Sequence, residues 1–391
     1  MDFENNDGLA RKEINDAFKM VITNCELQRQ KIDVAPIYLA GAPGGGKTQG
    51  LSKACKEFST DDFKVGIVST HFPLKPYEEM SGIPQFTKRN IEGEKDLIDT
   101  IWTRPDIIGV LHEESIKYDL LIWLLDDMHL VGSIHMGLLY ELLTEWKLRD
   151  YKLPDNTGIV LAGNFGSNKA GSKSLFSAIM NRVTMINVYT SFENWRKYFA
   201  IKNNVHYSII SFLGNERYQQ FFHEEEQVDS PWGSPRSWTR LSNMITAMES
   251  WYNEISDFDC LVLSQGLVSK TAASEFLQFY KILNKFDIED ILRNSKTFKL
   301  PDDTIDKYAL AYSLCNHLGS VKDRKSINKN FAEILIKYID DHPDLGTMIV
   351  HELLDLEKLA NKRSIYLDIT KEINKIDPNG TAKLIQELSE V

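Results

Sequence analysis

The hydrophobic positions of this chain fall into two regimes. In the first half, short apolar runs alternate with segments of helical spacing. The runs 37–40 (Ile-Tyr-Leu-Ala), 120–125 (Leu-Leu-Ile-Trp-Leu-Leu) and 158–163 (Gly-Ile-Val-Leu-Ala-Gly) are almost unbroken, as in strands buried on both faces of a parallel sheet. Residues 64–70 alternate weakly and predict another strand, and 184–189 predict a fifth. Between the strands, 8–30, 49–58, 133–148 and 172–181 read as helices, the first carrying Leu9, Ile14, Phe18, Val21 and Ile22 at helical spacing. Alternation of this kind predicts an α/β fold, a five-stranded parallel sheet covered by helices. Segment 73–104 is richer in Pro, Gly and charge and reads as an inserted surface loop with one short helix.

After about residue 190 the strand signals stop. Trp195, Phe212, Trp238, Leu241, Phe276 and Phe279 sit in helical patterns, and 344–359 has apolar helical spacing. The expected organisation is an α/β domain over 1–200, a smaller helical domain over 201–300 and a C-terminal helical extension over 301–391. No internal repeat or low-complexity tract interrupts it.

The candidate chemistry centres on residues 41–48, Gly-Ala-Pro-Gly-Gly-Gly-Lys-Thr, which match G-x-x-x-x-G-K-[ST] between a strand and a helix. Glycines let the backbone curl so that successive N–H groups face phosphate oxygens, and the following helix adds the positive end of its dipole. The expected phosphate contacts are Gly41, Ala42, Pro43, Gly44, Gly45, Gly46, Lys47 and Thr48, with Gln49 next in the helix. Lys47 has the reach for the β- and γ-phosphates, and the Thr48 hydroxyl suits a magnesium ligand.

Strand 120–125 stops at Asp126-Asp127. There Asp126 suits the magnesium water shell and Asp127 an attacking water, the alternative being a merely polar strand end. Asn164 ends the strand Leu-Ala-Gly-Asn; a short amide there reads either as a phosphate-facing group or as a turn residue. Arg182, in Ala-Ile-Met-Asn-Arg-Val, and Arg236, in Gly-Ser-Pro-Arg-Ser-Trp, read alone as solvated charges or salt-bridge partners. Pro235 suits the first turn of a helix and would give Arg236 a defined direction.

In that order the motifs resemble the AAA+ ATPases, and 139–164 with Ser-Pro-Arg-Ser-Trp resembles their MoxR-like branch. The resemblance spans roughly residues 10–280. It implies ATP and Mg²⁺ as cofactors, Lys47 and Thr48 as Walker A, Asp126 as the Walker B magnesium carboxylate and Asn164 as sensor 1. It implies Arg236 as sensor 2 on a helical lid, and Arg182 as an arginine finger acting on a neighbour's nucleotide. That last role requires a ring. The branch implies a homo-oligomer, mostly hexameric, that remodels a protein client, often with a von Willebrand factor A-domain partner. It also implies that 73–104 is an insertion facing the pore. The family usually has Glu where this chain has Asp127, which sets the carboxylate about 1 Å further back, a displacement worth on the order of 10²-fold in rate. A nucleotide-gated scaffold with little hydrolysis is therefore the second reading, and a DNA-directed motor the third.

Composition narrows these readings. The chain has 391 residues, 42% hydrophobic and 26% charged, with a formal net charge of −11. This is ordinary for a soluble globular protein, and the acidity disfavours a large nucleic-acid surface. Cys25, Cys55, Cys260 and Cys315 are widely spaced, as free thiols in a reducing compartment would be. The acidic N-terminus is unlike a signal peptide, and the longest apolar run is too short for a bilayer. The expectation is a cytoplasmic protein without a membrane segment.

Overall fold

The computed structural model describes residues 10–91, 94–164, 179–224, 229–320, 325–359 and 365–377. The chain divides into two compact units, Met1–Ser191 and Phe192–Val391.

The first unit is built on a parallel sheet. Its strands are β1 (Arg11–Glu13), β2 (Ile37–Gly41), β3 (Val65–Thr70), β6 (Leu120–Leu125), β9 (Thr157–Gly163) and β10 (Thr184–Tyr189). They lie in the order β1-β10-β2-β9-β6-β3, every neighbouring pair parallel. All five strands expected from the sequence are present. The sheet nevertheless has six strands, because β1 adds a three-residue edge beside β10. So short a strand has no hydrophobic period to read.

β2, β6 and β9 are buried along their whole length. Alternate side chains of these strands enter two separate cores. Leu39, Leu120, Ile122, Leu124, Val160 and Ala162 pack with Phe18, Val21, Leu51 and Cys55 from helices α1 (Ile14–Arg29) and α2 (Lys47–Phe58). Tyr38, Leu121, Trp123, Leu125, Ile159 and Leu161 pack with Ile108, Leu111, Leu139 and Leu142 of α4 (Asp106–Ser115) and α5 (Ser133–Glu145), which follow the short α3 (Tyr77–Ser81). Each fully buried aliphatic or aromatic side chain contributes about 1.5–3 kcal/mol, so the sheet is held from both faces. α1 also repairs the sheet. Gln28 donates to Ile159 O at 3.0 Å and accepts from Ile159 N at 2.7 Å, satisfying backbone groups that a sheet interior would otherwise leave open.

Segment 73–104 departs from the expected loop. α3 is the short helix, but β4 (Pro84–Ile91) and β5 (Glu94–Trp102) form an antiparallel hairpin. Phe86 is 77% and Ile98 67% exposed, so among the hairpin's described side chains no buried face imposes the period-two pattern that would betray a strand. A second small hairpin, β7 (Lys147–Leu148) with β8 (Tyr151–Lys152), follows α5 and ends that helix three residues earlier than expected. Of the helix expected over 172–181, residues 172–178 lie outside the described residues, and Ile179 and Met180 are helical.

Among its described residues the second unit has helices and no strand, its α-helices being α6 (Phe192–Trp195), α7 (Tyr207–Gly214), α8 (Pro235–Tyr252), α9 (Asp257–Gln265), α10 (Lys270–Leu283), α11 (Ile288–Arg293), α12 (Thr304–Ser320), α13 (Lys325–Asp341), α14 (Pro343–Leu359) and α15 (Ile365–Ile376). Phe212, Trp238, Phe276 and Phe279 are fully buried in one continuous core that extends to Leu353 and Ile373. This is the fold expected from the AAA+ resemblance: a phosphate-loop α/β sheet with flanking helices, followed by an all-helical region. Among the described residues no helix is long and apolar enough to cross a membrane.

Candidate functional site

The carboxyl ends of β2, β3, β6, β9 and β10 carry Gly41, Thr70, Leu125, Gly163 and Tyr189. The residues just beyond them form the candidate site, outside the carboxyl ends of the strands, where open α/β sheets bind ligands. Residues 41–48 leave β2 and enter α2 at Lys47. Gly44 and Gly46 have φ of +74° and +91°, the left-handed region that glycine occupies without steric cost. A Cβ on Gly46 would meet no atom within 4 Å, so backbone conformation, not crowding, calls for this glycine. Thr190, beyond β10, donates its hydroxyl to Gly45 O at 2.8 Å. Because C=O and N–H point oppositely across a planar peptide, this bond turns the Gly46 N–H to the other side.

The Lys47 ammonium is 2.9 Å from Gly41 O, 3.0 Å from Ala42 O and 3.2 Å from Asn164 Oδ1. Lys47 is buried, and these acceptors hold its charge where bare burial would be costly. The Thr48 hydroxyl donates to the Asp126 carboxylate. Asp126 is itself buried, its backbone N–H tied to Thr70 O at 2.8 Å and its Oδ1 accepting from Asp127 N at 2.9 Å. Five residues singled out from sequence, Lys47, Thr48, Asp126, Asp127 and Asn164, are thus linked at one edge of the sheet.

Two histidines join them that motif reading passed over. His71, just after β3, has Nδ1 2.7 Å from Asp127 Oδ2. His129, in the turn Met128–Leu130, has Nε2 3.2 Å from Asn164 Nδ2. Neither belongs to a phosphate-loop pattern, and His71 lies 56 residues from its partner. The only signal was position, each following the end of an apolar strand. Gly163 explains why Ala-Gly-Asn precedes the site. A Cβ there would stand 2.2 Å from the Tyr38 hydroxyl and 3.1 Å from His129 N, so the clash with Tyr38 calls for glycine, with the His129 turn packed closely beside it.

Asp127 has φ +57° and ψ +28°. Aspartate tolerates this left-handed backbone better than longer side chains because it bonds locally.

Arg182 lies on the same unit but packs on α5. Its guanidinium is 4.1 Å from the centre of the Tyr140 ring, with Nη2 2.6 Å from the Tyr140 hydroxyl and Nε 3.2 Å from Thr144 Oγ1. Arg236 belongs to the second unit, exposed in the first turn of α8. Pro235 occupies the start of that helix and Ser234 caps it, its hydroxyl accepting from Ser237 N at 3.2 Å.

All four cysteines are free and buried. Burial pushes the Cys55 thiol up to about 12 and the Cys260 thiol to about 11, so these thiols are protonated and unreactive at neutral pH. Among the described residues no three His, Cys, Asp or Glu side chains gather as a metal cluster.

No family model matches the chain, and no curated protein does. Solved structures do. The RuvB Holliday junction branch migration motor of Thermotoga maritima is 13% identical over 80% of this chain and 83% of that one, with a TM-score of 0.33. Hsp104, in a closed state with ATPγS and FITC-casein, is 16% identical over 62% and 46%, TM-score 0.38. NtrX from Brucella abortus is 11% identical over 91% and 68%, TM-score 0.31. Overlaps this loose carry no argument about what the chain does.

Proposed function

We propose that this chain binds ATP with magnesium at its phosphate loop and hydrolyses it, as one subunit of a ring that remodels a protein client. The observation that carries the reading is the contact between the Thr48 hydroxyl and the Asp126 carboxylate, beside a loop whose ammonium Lys47 faces Asn164. Two hard oxygen donors, one charged, fit a magnesium ion that keeps most of its waters. The left-handed Gly44 and Gly46, with no atom crowding Gly46, fit a polyphosphate cradled by backbone N–H groups.

Thr48 and Asp126 would hold the ion, which supplies charge neutralisation on phosphate oxygens. Lys47 would pair with those oxygens as a point charge, exchanging its present carbonyl partners for stronger ones. Asp127 would orient water, and Asn164 would contribute its amide at the phosphate end. Arg182, held at the surface by Tyr140 and Thr144, would serve a neighbouring subunit's site, and Arg236 would serve as sensor 2. The resemblance to the MoxR-like branch supports a hexameric ring, a von Willebrand factor A-domain partner and a lid over 201–300 with 301–391 as its extension.

The test is ATP binding and phosphate release by the full chain and by Lys47→Ala. Magnesium-dependent release that Lys47→Ala abolishes supports the reading. Release unchanged in Lys47→Ala refutes it.

One observation favours the second reading, a nucleotide-gated scaffold with little turnover. The Asp127 carboxylate is engaged by His71, so its water-orienting position is contested. ATP-driven assembly without phosphate release would support the scaffold.

A further inference from the structure

We propose that His129 is a positioning residue for Asn164, fixing which end of that amide faces Lys47; this rests on the ATP-handling reading above. An asparagine side chain is nearly symmetric in shape and opposite in polarity at its two ends, so its neighbours decide its direction. Here there are two neighbours. The Lys47 ammonium, 3.2 Å from one end, carries only donors and demands the carbonyl oxygen. The other end, the NH₂ group, lies 3.2 Å from His129 Nε2.

The Lys47 contact sets the polarity along the chain of contacts. Lys47 donates to Asn164 Oδ1, Asn164 Nδ2 donates to His129 Nε2, and a neutral His129 carries its hydrogen on Nδ1. Reversing the amide would set NH₂ against an ammonium, and the opposite tautomer would set N–H against NH₂. Either arrangement sets two donors against each other, whereas the favoured one puts the imidazole hydrogen on the buried Nδ1, away from the amide.

The consequence appears when Lys47 turns to phosphate. Asn164 keeps its bond to His129 and stays in one orientation, with Oδ1 and its second N–H available to water and phosphate. Without the imidazole acceptor the amide samples both directions, and its useful one becomes a fraction.

The tautomer is read first, by ¹⁵N NMR of the full chain with labelled histidine near pH 8, the His129 signal being assigned by its loss in His129→Gln. The expected result is hydrogen on Nδ1 in the parent chain and a shift toward the Nε2–H form in Asn164→Ala. A parent His129 with its hydrogen on Nε2, or one indifferent to Asn164→Ala, overturns the inference. This readout does not depend on catalysis. Kinetics then separates positioning from folding. His129→Phe should lower kcat about 10-fold with KM for ATP unchanged, while His129→Gln, which keeps an acceptor, recovers most of it. In an Asn164→Ala background His129→Phe should add nothing; independent, additive losses overturn the inference. Absence of hydrolysis in the parent chain sinks the ATPase reading instead, and the tautomer alone then decides the pairing.

Discussion

His71 and Asp127 meet at 2.7 Å, Nδ1 to Oδ2, across the carboxyl ends of β3 and β6. The contact engages the carboxylate proposed to orient water. If Asp127 orients the attacking water, removing its partner frees it. His71→Ala is expected to raise phosphate release at saturating ATP. Asp127→Ala is expected to lower it by about 10²-fold or more, with ATP affinity retained. Stopped assays of both variants check this; a rate indifferent to Asp127→Ala removes that residue from the chemistry.

Thr48 and Asp126 form the other decisive pair. Thr48→Val keeps the shape of the side chain and removes the oxygen that touches Asp126. The expected outcome is a much higher magnesium requirement for hydrolysis, with Tm lowered by the loss of one bond to a buried carboxylate. Titrating magnesium into parent and variant measures it. An unchanged requirement would place the ion elsewhere.

In the second unit, Glu249 bridges His206 Nε2 at 3.0 Å and the Tyr280 hydroxyl at 2.7 Å. Burial pushes its carboxyl up, but the bonds from His206 and Tyr280 outweigh burial and leave it below the usual carboxylate value. A depressed folded value means stability present above the unfolded pKa, about 4.3, and lost as pH falls through the folded one. Glu249→Gln should cost the helical unit about 1–3 kcal/mol at pH 7, and less at an acid pH below the folded carboxyl value. Urea unfolding of the full chain at both pH values tests the sign.

Arg149 ties two hairpins together. Its guanidinium lies 4.3 Å from the Trp102 ring centre, and Nη2 donates to the Tyr77 hydroxyl at 2.6 Å. It does so from a left-handed backbone, φ +56°. Arg149→Ala should speed proteolysis and hydrogen exchange in β4–β5 while ATP binding stays intact. Equal protection in both proteins would show that the hairpin is anchored without Arg149.

The parts legible in the sequence were those whose physics is local. Leu120–Leu125 has no polar position because both faces of the strand are buried, so composition alone marks it. The phosphate loop is legible because φ values of +74° and +91° demand glycine. The β4–β5 hairpin was not legible, since Phe86 and Ile98 point to no core and give no period. The pairings His71–Asp127 and His129–Asn164 were hidden for another reason. They join residues 56 and 35 apart, and only the strand order brings those ends together.

The central claim, a catalytic site completed by a neighbouring subunit, is tested most directly by phosphate release per subunit across a wide range of protein concentration. The account predicts a specific rate that climbs steeply with concentration, and a climb abolished by Arg182→Ala while ATP binding persists. A low rate that stays flat at every concentration, or a climb that survives Arg182→Ala, would contradict it.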